Sequence, residues 1–246
     1  MFMLFVRRHP AAKGQLGEGI GASTSARRDR RDLHRDRDPD GLFDRTSCHL
    51  SFTLEEEEAG RGALAEMGIP EGAPFVCFHS RDQAYLEAAF PNTAGPQAWE
   101  YHEHRNSSVD NYLAAAEEMT RRGYYALRMG ALVKQPLRTE NPMIIDYASL
   151  HRSDALDIYL GAKCRFFICD TAGIYSIPRI FRRPLCWVNF VPLEHVHTWN
   201  RTDIFLPKKL WLQDEKRFMP FGEILDSGAG RFTNGEQYAR HGIDAV

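Results

Sequence analysis

Arg165-Phe166-Phe167-Ile168-Cys169-Asp170-Thr171-Ala172-Gly173-Ile174 decides the fold. Its first half is a short, apolar, β-prone run, which reads as a buried strand over Arg165–Cys169. A small polar turn follows, and helical spacing then resumes over Ile174–Phe181. Strand, open turn and helix form a ready anion site, because free N–H groups and the helix dipole face a ligand there. The Thr171 hydroxyl adds a donor, and no bulky side chain stands between Thr171 and Gly173. The bland alternative is an ordinary βα turn, of which any α/β chain has several. The turn lacks the Gly-Lys-Ser/Thr of a P-loop, and the chain lacks a Gly-x-Gly-x-x-Gly fingerprint, so nicotinamide or flavin binding has weak support.

The same pattern repeats on either side. Phe75-Val76-Cys77-Phe78-His79 is a buried strand, preceded by a helix over Leu54–Met67 that carries Glu55–Glu58 in its first turn. Residues 87–107 read as loop. Ser108 starts a helix through Arg122, with Val109, Tyr112, Leu113, Ala116 and Met119 on one face. Tyr124–Met129 is the next strand and Met143–Asp146 a short one after it. Ser153 caps a helix covering Ala155–Leu160, and Leu185–Asn189 is a fifth strand. Strands alternating with helices over 74–190 predict an α/β fold with a Rossmann-like, doubly wound parallel sheet. The expected organisation is a disordered or non-native segment 1–50, a helical lead-in 51–73, a Rossmann-like domain 74–226 and a flexible tail 227–246.

Composition bounds the possible functions. The 246 residues carry 31 Lys/Arg against 33 Asp/Glu, a net charge of −2, and 43% are hydrophobic. Such a chain is globular, and nothing in its bulk charge draws it to nucleic acid. The charge is uneven: residues 1–50 hold 10 basic and 7 acidic side chains, the rest 21 and 26. Segment 9–50, with its Arg/Asp alternation at 27–38, holds too few apolar residues to offset ordering entropy. The longest apolar run, Met1–Val6, is far short of the ~20 residues that span a bilayer. Neither an integral membrane segment nor a secretory signal is expected. The five cysteines form no Cys-x-x-Cys and four lie in apolar runs, so they are expected to be reduced and mostly buried, as in a cytoplasmic protein.

In an open parallel sheet, ligands bind at the carboxyl ends of the strands. His79-Ser80-Arg81-Asp82 follows the first strand, and a guanidinium there could fork onto a diphosphate while Asp82 orients it. An Arg–Asp pair that caps the sheet edge is the even-weighted alternative. Arg128-Met129-Gly130 follows the second strand; Arg128 either reaches the same cleft or is solvated beside a turn glycine. His195 and His197 alternate near Glu194, but without a third ligand a hydrogen-bonding or base-contacting role is favoured over a metal.

Taken in order, these segments resemble a family of bacterial glycosyltransferases. The resemblance rests on Phe75–Asp82, Arg105-Asn106-Ser107, Asp110-Asn111-Tyr112, Gly123–Gly130, Arg152–Leu160, Phe166–Ile174, Pro178–Phe181, Asn189–Leu193 and Lys208–Trp211. The His79-x-Arg81-Asp82 element is similar to the donor motif of fucosyltransferase-like GT-B enzymes, and the Asp170–Gly173 turn to the donor-phosphate turn of heptosyltransferases. The resemblance implies the C-terminal, donor-binding half of a GT-B enzyme that moves sugar from a nucleotide-diphosphate sugar to a glycan or lipid-linked acceptor in polysaccharide biosynthesis. It implies no metal and no cofactor, and a cytoplasmic place that extends to the inner face of the membrane. Arg81, His79 and Asp82 are the candidate catalytic residues; Arg128, Gly130, Asp154, Asp170, Thr171, Ala172, Gly173 and His195 are the candidate donor-binding ones. A GT-B enzyme needs two such domains, and residues 1–50 cannot supply the other. The chain is therefore expected to be truncated at its N-terminus, or a catalytically incomplete nucleotide-binding unit with a partner that supplies the missing domain.

Overall fold

Residues whose side chains alternate between two apolar faces build the centre of the molecule. The computed structural model describes residues 7–8, 38, 41–89, 96–197 and 200–246. Its main sheet has six strands: β1 (Phe75–Phe78), β2 (Tyr125–Arg128), β3 (Ile144–Ile145), β4 (Phe167–Cys169), β5 (Leu185–Phe190) and β6 (Ile204–Pro207). They lie in the order β3-β2-β1-β4-β5-β6 and all pair in parallel. This is the Rossmann order, with its topological switch point between β1 and β4. The expected α/β class and doubly wound parallel sheet are what the chain forms. The sixth strand goes beyond the sequence reading, which left Ile204–Trp211 as a mixed run.

Helices cover both faces because the inner strands are apolar on both sides, whereas Ile204 and Leu206 of the edge strand β6 stay exposed. Val76, Phe78, Ala126, Ile144 and Ile168 pack under Tyr112 and Ala116 of a helix over Asp110–Arg121. Phe75, Cys77, Leu127, Phe167, Leu185 and Trp187 pack on the opposite face with Tyr159 and Leu160 of a helix over Asp154–Lys163. In that second helix the Ser153 hydroxyl accepts from the Leu156 N–H, the cap expected from sequence.

The chain-order labels for the helices are α1 (Leu42–Arg45), α2 (Leu54–Glu66), α3 (Ala84–Ala89), α4 (Asp110–Arg121), α5 (Tyr147–Leu150), α6 (Asp154–Lys163), α7 (Ser176–Ile180), α8 (Phe221–Asp226) and α9 (Gly235–Arg240). α2 begins in a capping box, with the Thr53 hydroxyl accepting from Glu56 N–H and the Glu56 carboxylate from Thr53 N–H. It then lies against α6, where Gly60 faces the Tyr159 ring.

A buried carboxylate ties β5 to its neighbours. Asp203 accepts from Arg179 at 3.0 Å, from Trp187 Nε1 at 3.1 Å and from the Leu185 N–H at 3.0 Å. One residue thus links α7, β5 and the approach to β6.

Three expectations need correction. Most of segment 1–50 lies outside the described residues, but its end is structured. α1 sets Phe43 against the Arg182 guanidinium, 3.6 Å from the ring centre, and Arg182 donates to Thr46. The segment 87–107 is not plain loop: α3 ends at Ala89 and a 3₁₀ stretch runs Pro96–Arg105. The segment 227–246, expected as a flexible tail, is built of regular elements. The Asn234 side chain caps α9, Tyr238 is buried, and a strand β9 (Ile243–Ala245) pairs antiparallel with β7 (Leu210–Leu212), which also pairs with β8 (Arg217–Phe218). Val191, Leu210, Ile224, Tyr238 and Ile243 give this sheet its own small core.

The α2–α6 contact generates a test. A Cβ at Gly60 would sit 2.2–2.4 Å from Tyr159 ring atoms, and that ring is buried in the core. Gly60→Ala is therefore expected to lower unfolding free energy by about 1–3 kcal/mol, because overpacking outweighs the gain in helix propensity. Urea denaturation monitored by circular dichroism measures it.

Candidate ligand-binding site

The site is built at the switch point, where β1 and β4 end side by side. β1 delivers His79, Ser80, Arg81 and Asp82, and β4 delivers Asp170 followed by Thr171, Ala172 and Gly173. Asp170 is fully buried at 0% exposure. Its carboxylate accepts from the Arg81 backbone N–H, from the Ser107 hydroxyl at 3.0 Å and from the Tyr112 hydroxyl at 3.4 Å. His79 Nδ1 stands 3.3 Å from its other oxygen. A buried carboxylate survives only with such a set of donors. Burial and the neighbouring Asp170 both hold the Tyr112 hydroxyl protonated, pushing its pKa up.

Cations crowd around this acid. Arg105, from the end of the 3₁₀ stretch, donates Nε to the Thr171 hydroxyl at 3.0 Å and Nη2 to the Thr171 carbonyl. Lys208, between β6 and β7, donates Nζ to the carbonyls of His104 at 3.1 Å and Asn106 at 2.8 Å. Burial lowers the pKa of Arg81, Arg105 and Lys208, and Asp170 opposes the shift in each. Arg105 is drawn down to about 10, by burial first and then by repulsion from Arg81. The Arg81 Nε is buried with no hydrogen-bond partner among the described residues. Two guanidinium groups that repel one another, one of them unsatisfied, form a locus that an anion would relax.

Two clefts open on either side of the Ala172–Gly173 turn. One, of about 360 Å³, is lined by His79, Arg81, Asp82, Tyr85, Leu132 and Asp157 among others. The other, of about 440 Å³, is lined by Arg105, Thr171, Tyr175, Trp187, His195 and His197 among others. Ala172 and Gly173 line both. A Cβ at Gly173 would meet no atom within 4 Å, so this wall carries only backbone where a ligand could pass.

Most of the expected site residues meet here: His79, Arg81, Asp82, Asp170, Thr171, Ala172, Gly173 and His195. Their roles differ from the sequence reading in several places. Asp82 does not orient Arg81 through its carboxylate, whose oxygens accept from the N–H groups of Ala84 and Lys134, both at 2.9 Å. It caps α3 and pins the loop after β2. The Ala172 N–H donates to the Asp170 carbonyl at 2.8 Å, so it is already committed. The Thr171 hydroxyl oxygen is taken by Arg105, but its hydrogen remains a donor. The helix after the turn is only a 3₁₀ turn and the five-residue α7, too short for a strong dipole.

Arg128 is outside the clefts. It is 2% exposed, donates to the Gln135 carbonyl at 2.6 Å and faces Asp146 at 3.3 Å, where it fixes the loop between β2 and β3. Gly130 serves that loop too, since a Cβ there would come within 2.8 Å of Val133. Asp154 is 81% exposed and pairs with Arg152; its neighbour Asp157 lines the first cleft instead. His195 and His197 do not alternate on a strand, because Leu193–His195 is a 3₁₀ turn. Cys77 and Cys169 are buried, and burial pushes both thiols well up, so neither is a reactive group.

Arg105 and Lys208 were not singled out by the sequence reading as site residues. Both arrive on segments far from the strand ends, and only folding brings them to Asp170.

Comparison with known protein families finds no match, and comparison with curated proteins finds none. Among solved structures, the crystal structure of the glycosyl transferase family 9 from Veillonella parvula DSM 2008 is similar over 58% of this chain, with a TM-score of 0.41 and 13% identity. The chain spans 37% of that protein's length.

Two tests follow from the geometry. Asp170→Ala strands three donors and the surrounding cations, and is expected to cost about 3 kcal/mol or more in urea unfolding; Asp170→Asn keeps part of the acceptor set and should cost less. His104 lies on the same 3₁₀ stretch, and burial first and Arg105 next lower its pKa to about 4. Unfolded histidine titrates near 6.5, so the unfolded chain takes up this proton first as pH falls. Stability is unaffected above about pH 6.5 and drops between 6.5 and 4, by about 1–2 kcal/mol after solvent screening. In His104→Phe, denaturation midpoints measured across this window should fall less steeply.

Proposed function

We propose that this chain binds a nucleotide-diphosphate sugar at the switch point and serves a glycosyltransferase that moves the sugar to a glycan or lipid-linked acceptor. The observation that carries the reading is the pairing of Arg81 and Arg105 at the shared wall of two clefts. A diphosphate laid across Gly173 would accept from the Arg81 guanidinium and the Thr171 hydroxyl, and would separate the two repelling guanidinium groups. Charge developing on the leaving diphosphate would be stabilised by these fixed cations, in a role that a divalent ion plays elsewhere. The reading is therefore metal-independent. His79, whose Nδ1 faces Asp170, offers Nε2 as the ring nitrogen available to a bound group. This Asp–His arrangement suits proton transfer at the cleft.

A thermal-shift series with UDP, GDP, ADP and CMP tests the binding step. At least one nucleotide is expected to raise the melting temperature by a few degrees at a concentration of about 100 Kd. Arg81→Ala should abolish that rise, and chelator should leave it intact. The absence of a shift with any diphosphate would sink the reading. Transfer and donor-hydrolysis assays on the isolated chain then separate a working transferase from a binding unit completed by a partner.

A further inference from the structure

We propose that the two clefts divide the donor between them: the cleft over β1 holds the nucleoside, and the aromatic cleft over β4 and β5 is the subsite for the uncharged sugar. The inference rests on the donor-binding reading above and assigns the halves of its ligand.

Chemistry distinguishes the two cavities. A ribose diol is recognised by a carboxylate acceptor in sheets of this order. Asp157 and Asp82 line the first cleft, while among the described residues no Asp or Glu lines the second. Asp157 lies below the surface and accepts from Tyr147 at 2.9 Å and Arg152 at 3.1 Å, so it is held in place. Beside it, Tyr85, Leu86 and Leu132 give an apolar slot for a flat base.

The second cleft is of a different character. Tyr175 and His197 both stand edge-on to Trp187, with ring centroids 4.7 and 5.2 Å away, and His197 also meets Tyr175 at 5.8 Å. Trp187 is itself buried and backs this cluster, while Tyr175, Phe190 and His197 line the cavity, and an aromatic lining suits the apolar C–H face of a sugar. Sugar hydroxyls each both donate and accept. Imidazole and hydroxyl side chains do this, and His195, His197 and Thr233 supply them. A volume of about 440 Å³ is ample for one hexose with bridging water. Arg105 stands on the Thr171 side of this cleft, where the diphosphate oxygen nearest the sugar would come.

A plug and a truncation test the division. Thr233 is exposed, so Thr233→Trp can fill the mouth of the second cleft without disturbing the core, and His197→Ala removes part of its ring surface. Titration calorimetry would compare UDP with UDP-glucose, GDP with GDP-mannose and ADP with ADP-glucose on the full chain. For the pair that binds, both variants should weaken the sugar nucleotide about tenfold and leave the free diphosphate within about twofold. Leu132→Glu, in the first cleft, should weaken both, because its carboxylate repels the diphosphate that they share. Equal weakening of sugar nucleotide and diphosphate by Thr233→Trp would overturn the assignment, as would no effect on either. Failure of the unmodified chain to bind any of the six compounds is a separate result: it removes the donor-binding reading, and this assignment with it.

Discussion

One buried carboxylate organises the functional end of the molecule. Asp170 takes hydrogen bonds from the loop after β1, from Ser107 and from Tyr112 on α4, and it anchors the field of Arg81, Arg105 and Lys208. Its cost of burial is met by donors that come from two separate stretches of chain, the loop after β1 and the segment from Ser107 to Tyr112. Those stretches are thereby held in register at the switch point of the sheet. A parallel sheet brings β1 and β4 together, but the carboxylate is what sets the distances between their loops.

The cation cluster follows from the same constraint. A single acid cannot neutralise two guanidinium groups and a lysine in a partly buried place, so part of their charge stays unanswered. Thr171 is gripped by Arg105 at both its hydroxyl and its carbonyl, which holds the turn open. The proposed anion binding would thus owe more to fixed side-chain cations than to a helix terminus, since the helix that follows the turn is short.

How much of this could be read from sequence depended on range. β1 to β5 and α2, α4 and α6 were legible because each is a local apolar pattern with a cap or a glycine at its end. The turn at Asp170–Gly173 was legible for the same reason. Arg128 misled because position after a strand does not say which way a side chain turns; here a buried partner, Asp146, took it. Asp154 misled because the residue one turn further into α6, Asp157, faces the cleft. Arg105 and Lys208 lie in stretches that carry the resemblance, but neither follows a strand legible in the sequence, so nothing local placed them beside Asp170; the order of the tail depends on Ile243–Ala245 finding β7 across the sequence.

The glycine wall between the two clefts has a further consequence. A ligand that occupies both sides is in effect two weak ligands joined by a short, charged linker that crosses Gly173. Once one half is seated, the other searches only the small volume the linker allows, and its effective concentration is in the millimolar range or above. Neither cleft then has to bind strongly alone. Breaking the linker, as sugar transfer does, would turn one tightly held molecule into two loosely held ones, so release would follow from the bond cleavage itself.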